Sequence, residues 1–165
     1  MRKCDIKNMP LLLEKMAESF PLYLPVDGND GSARFERWTE NTVLSDKVNT
    51  VRGAKDFFFP QTENLMDFKV CGKEIELKET QRADEPFILF GVRACDVRSL
   101  DILDRVFLSE PKDSFYAARR ECGIIVSLAC TRFSETCFCT VFGINPAEPL
   151  GDVSCTKTEH ALYMQ

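Results

Sequence analysis

Two continuous apolar runs, FILFGV (residues 87–92) and GIIVSLAC (residues 123–130), constrain the fold of this 165-residue chain more than any other feature. Runs without polar alternation are typical of strands that are buried on both faces of a sheet. Between them, Leu100, Leu103 and Phe107 form an apolar stripe at helical spacing. Strand, helix and strand in this order predict a βαβ unit with parallel strands and a right-handed crossover. The predicted fold class is therefore α/β, of the mixed α+β kind, with a small sheet.

The first half of the chain predicts one helix and two hairpins. Residues 9–20 place apolar side chains at helical spacing. PLYLPV (21–26) and ARFERW (33–38) are typical of strands, and the Gly/Asp/Asn-rich turn between them predicts a hairpin. Residues 67–79 predict two further short strands that turn at Cys71-Gly72-Lys73.

Polar segments suggest where the chain divides. TQRADEP (80–86) predicts a linker, and residues 39–56, which show no period, predict a long loop. We therefore expect an N-terminal helix and hairpin lobe over residues 1–80. A second lobe over residues 81–165 carries the βαβ unit, and both lobes belong to one compact domain. In the second lobe, Asp96 is the expected cap of the crossover helix.

Four cysteines follow the two predicted buried strands. Cys95 lies just past the end of the first strand, and Cys130 lies at the end of the second run. Cys137 and Cys139 lie in the loop that leaves the same edge, and an extended backbone there would put both sulfurs on one side. Because parallel strands end at the same edge of a sheet, all four cysteines can converge there.

A set of four thiols is compatible with several roles. All-thiolate sites suit zinc and iron–sulfur clusters, because soft sulfur ligands favour those centres. The spacing matches neither a zinc ribbon nor the cysteine run of bacterial ferredoxins. Buried apolar cysteines and a redox disulfide also stay open, although a disulfide within Cys137-Phe138-Cys139 fits the preferred dihedral badly.

Cations flank the four cysteines and favour an anionic cluster. Arg93, Arg98 and Arg132 lie close to these cysteines in the sequence. The helix that begins near Asp96 also directs the positive end of its dipole toward them. A [4Fe–4S] cluster with four thiolates carries net negative charge, which such cations stabilise. The same cations would lower the pKa of a thiol in any other use, so they support a cluster without excluding the alternatives.

The remaining cysteines and the single histidine predict no chemistry. Cys4, Cys71, Cys122 and Cys155 are interpreted as core residues, since cysteine is among the most buried residue types. His160 is expected at the surface, and one histidine makes neither a catalytic triad nor a His-rich metal site. The chain carries no nucleotide-binding glycine pattern. No catalytic residue is therefore predicted.

Composition excludes several classes of protein. Lys and Arg total 21 against 26 for Asp and Glu, a net charge of -5 that argues against a nucleic-acid-binding surface. No apolar run approaches the roughly 18 residues that a membrane span needs. Eight cysteines in 165 residues are about 5% of the chain, below the roughly 8–10% that is typical of small disulfide scaffolds. We expect a cytoplasmic protein whose cysteines bind metal, do redox chemistry or lie buried.

Four sequence blocks resemble a known family. GVRACDVRSLDILDRVFL, ARRECGIIVSLAC and CFCTVFGINP, preceded by KDFFFPQTENLMDF, are similar to the iron–sulfur beta subunit of soluble NiFe hydrogenases (sulfhydrogenases). The A subunit of anaerobic sulfite reductase is also similar. The resemblance spans roughly residues 50 to 150 and keeps the order of the blocks, although Ala94 replaces the usual proline.

The resemblance implies an electron-transfer subunit of a multi-subunit, anaerobic oxidoreductase. Such a subunit relays electrons between a flavin-containing partner and a catalytic subunit. The ligands of its [4Fe–4S] cluster would be Cys95, Cys130, Cys137 and Cys139, the set that strand topology also brings together. The family's C-terminal ferredoxin-like module is expected to be missing, because its four-cysteine runs do not occur here. A structural zinc domain and a metal-free protein-interaction domain are the alternatives.

Overall fold

The computed structural model describes residues 1–79 and 85–165, which form nine strands and three α-helices. The strands are β1 (Arg2–Asp5), β2 (Leu22–Asp27), β3 (Ala33–Arg37), β4 (Met66–Cys71), β5 (Glu74–Glu79), β6 (Phe87–Val92), β7 (Gly123–Leu128), β8 (Val153–Lys157) and β9 (Ala161–Met164). The helices are α1 (Met9–Ser19), α2 (Ala94–Phe107) and α3 (Ser114–Cys122). The predicted mixed α/β class is confirmed.

Seven of these strands form one mixed sheet in the order β1-β9-β8-β7-β6-β2-β3. The four central strands, β2, β6, β7 and β8, run parallel, and the outer strands pair antiparallel. The predicted parallel pairing of the strands near 87–92 and 123–129 is confirmed, and the second strand, β7, ends at Leu128. All four central strands therefore end at one edge, which we call the carboxyl edge.

The sheet is buried on both faces because side chains of its central strands alternate between two hydrophobic clusters. Ile88 belongs to the cluster that includes Leu13 of α1. Leu89 belongs to the other cluster, with Leu100 of α2 and Tyr116 of α3. Two-sided burial explains why these strands read as continuous apolar runs and not as alternating ones.

Gly91 bends β6 just before the chain reaches the carboxyl edge. The register with β7 shifts between Phe90 and Val92, and Gly91 has a φ of +85°. A Cβ at this position would lie 3.1 Å from Cδ of Pro25 on the neighbouring β2. Only glycine combines this left-handed backbone with so close an approach of two strands. The bulge sets the direction in which the chain leaves β6 for α2.

Both predicted hairpins are confirmed. Strands β2 and β3 pair antiparallel, and so do β4 and β5, which form a separate two-stranded sheet whose residues are exposed along both strands. The loop predicted over 39–56 ends in a short 3-10 turn, Ala54–Phe57. Among the described residues, no helix has the length and apolar character needed to cross a membrane.

Three expectations need correction or stay open. Asp96 is not the cap of α2, because the helix begins at Ala94 after the extended residue Arg93, and Asp96 lies in its first turn. The predicted linker falls largely on residues 80–84, outside the described residues. The division into lobes at residue 80 stays a prediction, and the seven-stranded sheet takes strands from both sides of that position.

Candidate metal centre

Two of the predicted ligands lie where the parallel strands end. Cys95 is in the first turn of α2, which follows β6, and its side chain is half-buried. Cys130 comes two residues after β7 and is also half-buried. Its backbone N–H donates to the carbonyl of Pro146 at 2.8 Å. This hydrogen bond joins the two ends of the loop that contains Cys137 and Cys139, which we call the cysteine loop. The fold itself therefore places both thiols at the carboxyl edge.

The other two predicted ligands lie in the loop beyond β7. The backbone N–H of Cys137 donates to the carbonyl of Ser134 at 3.0 Å and closes a tight turn. Cys139 begins a 3-10 turn that ends at Phe142 and is followed by Gly143 with a φ of 63°. Phe138 has φ −133° and ψ 19°, so the extended backbone predicted for residues 137–139 is wrong. The turn closed at Cys137 and the 3-10 turn opened at Cys139 replace it.

The four thiols are neighbours at this edge. Cys95 is close enough to Cys130 and Cys139 for their charges to interact, and Cys130 interacts in the same way with Cys137 and Cys139. Cys130, Cys137 and Cys139 also line one surface cavity of about 410 Å³, together with Pro146. The structure thus brings the predicted set together from two strand ends and one loop.

The four thiols are not packed around a single point. Across residues 1–79 and 85–165, no three His, Cys, Asp or Glu side chains are close enough to hold one metal ion. Four thiolates on one zinc ion, at Zn–S distances of about 2.3 Å, must lie within about 4 Å of one another. In a [4Fe–4S] cluster each thiolate binds a different iron, so the sulfurs lie farther apart. All four predicted ligands are thiols, and thiolates suit both zinc and iron–sulfur clusters.

Burial and hydrogen bonding shift the pKa values of the thiols in opposite directions. Burial raises the pKa of Cys95 from 9.0 to about 11, and the neighbouring Asp96 carboxylate adds to the rise. Burial also raises the pKa of Cys130, although the Arg93 charge beside it opposes the change. The Ser134 hydroxyl and backbone N–H, in contrast, lower the pKa of the exposed Cys137. The expected lowering by flanking arginines is thus outweighed by burial at the strand ends.

Of the three flanking arginines, Arg93 lies beside Cys130 and opposes the rise in the pKa of its thiol. Its guanidinium donates to the carbonyls of Leu128 and Ala129, at 3.4 and 3.2 Å, just before Cys130. Arg98 forms an ion pair with Asp101 on the surface of α2. Arg132 donates to a backbone carbonyl of the loop at residue 46. Arg93 therefore supplies fixed positive charge at the end of β7.

Sequence reasoning missed Ser134, which contacts a predicted ligand. Its backbone N–H lies 3.2 Å and its hydroxyl 3.5 Å from Sγ of Cys137. The available signal was a serine three residues before a cysteine, a spacing that suits a tight turn with a side chain directed back to it. Asp46 and Asn49, in the polar loop predicted over residues 39–56, were also missed.

The cysteines outside the set have mixed environments. Cys155 on β8 is 1% exposed, which confirms its core interpretation. Cys71 is exposed at the end of β4, so its core interpretation is wrong; it lies on a hairpin without a second layer. Cys4 and Cys122 are partly buried. His160 is exposed, as predicted.

Comparison with known proteins gives one informative match. The chain is 34% identical over 142 residues to "Sulfhydrogenase 2 subunit beta" of Pyrococcus furiosus. The match covers 86% of this chain and 40% of that protein, so the chain spans about 40% of the length of its curated relative. No family model matches the chain, and no solved structure does.

Proposed function

This chain belongs to the hydrogenase beta-subunit family, as its sequence blocks predicted, and we propose that it is an electron-transfer component of an oxidoreductase assembly. The shared region covers most of this chain but less than half of the relative. The similarity therefore does not assign the activity of a whole beta subunit to this chain. The proposal concerns only the site at the carboxyl edge. It assigns the chain one [4Fe–4S] cluster.

The observation that carries this proposal is the convergence of four thiols from distant parts of the chain. Cys95 and Cys130 come from the ends of two parallel strands, and Cys137 and Cys139 come from the loop beyond. Cys95, Cys130 and Cys139 are half-buried, and Cys130, Cys137 and Cys139 line one surface cavity. Such an arrangement is expected where thiolates bind a shared centre. Packing of the core alone does not require them to meet.

In this proposal, the four cysteines hold the cluster and the surrounding residues set its environment. A bound cluster supplies one-electron transfer at a potential set by charge, hydrogen bonds to sulfur and solvent exposure. Arg93 and the start of α2 place positive charge beside Cys130 and Cys95. The core clusters beneath β6 and β7 keep the strand ends rigid. No side chain of the site acts as an acid, a base or a nucleophile.

The partners follow from the same family membership and are part of the proposal. The relative is named as a subunit of a sulfhydrogenase, so it works with further subunits. We infer flavin-containing and catalytic subunits as the electron donor and acceptor of this chain. We also infer a cytoplasmic, anaerobic setting, in which a cluster near the surface survives.

Anaerobic purification, or reconstitution with iron and sulfide, tests the proposal. Absorption and EPR spectra together with metal and sulfide analysis should show about four irons and four sulfides per chain. One colourless zinc per chain would instead identify a structural zinc site. A chain that takes up neither metal under anaerobic reconstitution would be a protein-interaction domain. Either result would overturn the cluster.

A further inference from the structure

A segment from the first half of the chain crosses the carboxyl edge and contacts the cysteine loop. Residues 45–49, which we call the strap, begin where the N–H of Ser45 donates to the carbonyl of Pro25 at 2.8 Å. The next residue, Asp46, accepts from the Lys157 ammonium at 2.7 Å through its carboxylate and from Arg132 through its carbonyl. The strap is thus tied to β2, to β8 and to the loop after β7.

Arg93 ties the strap to the strand ends as well. Its guanidinium donates to the carbonyl of Lys47 at 3.1 Å while it holds the carbonyls at the end of β7. Hydrogen bonds from a charged donor contribute more to stability than hydrogen bonds between neutral groups. A segment held by three cations and by the edge of β2 has a defined position over the site.

Asn49, at the end of the strap, reaches the turn that precedes Cys137. Its side-chain amide donates to the hydroxyl oxygens of Ser134 at 2.8 Å and of Thr136 at 3.2 Å. These two hydroxyls lie 3.1 Å from each other. One amide group therefore bridges both polar side chains of the turn, from a position 85 residues earlier in the chain.

Accepting a hydrogen bond at its oxygen leaves the Ser134 hydroxyl with its own hydrogen to donate. The hydroxyl lies 3.5 Å and the backbone N–H 3.2 Å from Sγ of Cys137. Hydrogen bonds to a ligand sulfur stabilise the more negative, reduced state of a cluster and raise its reduction potential. The chain of contacts runs from Asn49 through Ser134 to a predicted ligand.

We propose that Asn49 is a positioning residue for the Cys137 ligand, acting through Ser134. The strap holds the Asn49 amide in place, the amide fixes the Ser134 hydroxyl, and the hydroxyl and backbone N–H of Ser134 orient the sulfur and donate to it. This inference rests on the proposed function, because it assigns the effect to a cluster bound by Cys137. The strap contacts themselves do not depend on a cluster.

Reduction potentials of the reconstituted full chain test the proposal. Ser134→Ala should shift the potential to a more negative value and speed iron release to a chelator about tenfold or more, the range found when outer partners of metal ligands are removed. Asn49→Ala should shift the potential in the same direction by a smaller amount. Ser134→Thr, which keeps the hydroxyl, should restore most of the wild-type value.

Asn64→Ala is the matched control. Asn64 also makes an exposed side-chain hydrogen bond, to Asp67 at 2.8 Å, but at the start of the β4–β5 hairpin. Its removal should leave the potential unchanged. If Asn49→Ala has the wild-type potential, or if Asn64→Ala shifts the potential as much, the inference is wrong.

Hydrogen exchange in the metal-free chain separates this proposal from the proposed function. Loss of the Asn49 bridge should speed exchange of the amides at residues 134–139 about two- to tenfold, as expected for one hydrogen bond. A wild-type chain that binds no cluster would overturn the proposed function, and with it the effect on potential. Unchanged exchange in Asn49→Ala would overturn the strap's hold on the loop, whether or not a cluster binds.

Discussion

The two halves of the candidate ligand set are held by different means. Cys95 and Cys130 are half-buried at the ends of core strands, and burial raises the pKa of both thiols. Cys137 is exposed in a loop, and hydrogen bonds from Ser134 lower the pKa of its thiol. The strand-end pair is thus placed by the sheet, whereas Cys137 and its neighbour Cys139 depend on turns and on contacts with the strap.

This difference shows that fixed ligand positions and thiols that ionise readily come from different parts of the site. The strand ends give positions that cannot move without disturbing the core, at the cost of thiols that ionise reluctantly in the absence of metal. The loop gives one exposed thiol, that of Cys137, which is already prepared to ionise, whereas Cys139 is half-buried. Metal binding requires thiolates and releases protons, so the strand-end thiols and Cys137 should behave differently until a cluster is bound and alike afterwards.

Serine substitutions should have the largest effects and should not distinguish the pairs. Cys130→Ser at a strand end and Cys137→Ser in the loop should each abolish cluster binding, because both remove a thiolate ligand. Cys71→Ser is the control, since this exposed cysteine lies on the β4–β5 hairpin. Iron and sulfide content after anaerobic reconstitution measures the result. A full cluster in Cys130→Ser, or loss of the cluster in Cys71→Ser, would show that the ligand set is wrong.

Alkylation of the metal-free chain should distinguish Cys95 from Cys137 by about two orders of magnitude. At pH 8, a thiol with a pKa of about 11 carries roughly 100-fold less thiolate than one with a pKa of 9.0. Cys95 should therefore react slowly with iodoacetamide, and the exposed Cys137 quickly. Because a raised pKa delays ionisation, the gap should narrow as the pH rises toward 11. Pulsed labelling followed by peptide mass spectrometry measures both rates. Equal rates at pH 8 would show that the Cys95 and Cys137 thiols do not differ in this way.

Alanine substitutions at Gly91 in the sheet and at Gly143 in the loop compare how tightly these two regions are built. Their expected effects, on the free energy of unfolding, are smaller. Gly91→Ala forces a left-handed backbone and brings a Cβ within 3.1 Å of Pro25, so it should destabilise the fold by about 1–3 kcal/mol. Gly143→Ala, which follows the turn of Cys139, meets the same backbone strain with nothing within 4 Å and should cost about 1 kcal/mol. Urea unfolding of the two variants gives the comparison. An equal or larger loss for Gly143→Ala would mean that the loop is as tightly built as the sheet.

The strand-end half of the site could be predicted from sequence because its cause is visible there. Apolar runs at 87–92 and 123–130 identify buried strands, and parallel pairing brings the ends of these strands together. The positions of Cys95 and Cys130 follow from these strand ends. The short strands β1 and β8 were missed, because RKCD and VSCTK carry no distinctive pattern and depend on pairing with neighbouring strands.

The loop half could not be predicted to the same extent, because distant residues determine its shape. The extended backbone expected at Phe138 fails where Gly143 and the Ser134 turn bend the chain. The contact between Asn49 and Ser134 joins residues far apart in sequence, across a polar loop without periodicity. No local pattern encodes such a contact.

Anomalous diffraction at the iron absorption edge, from crystals grown without oxygen, would locate the cluster and its ligands. One compact iron peak is expected at the carboxyl edge, bonded to the sulfurs of Cys95, Cys130, Cys137 and Cys139. A peak bound by Cys71 or Cys155 in place of any of these four would contradict this expectation, as would a single zinc ion held by the four thiols.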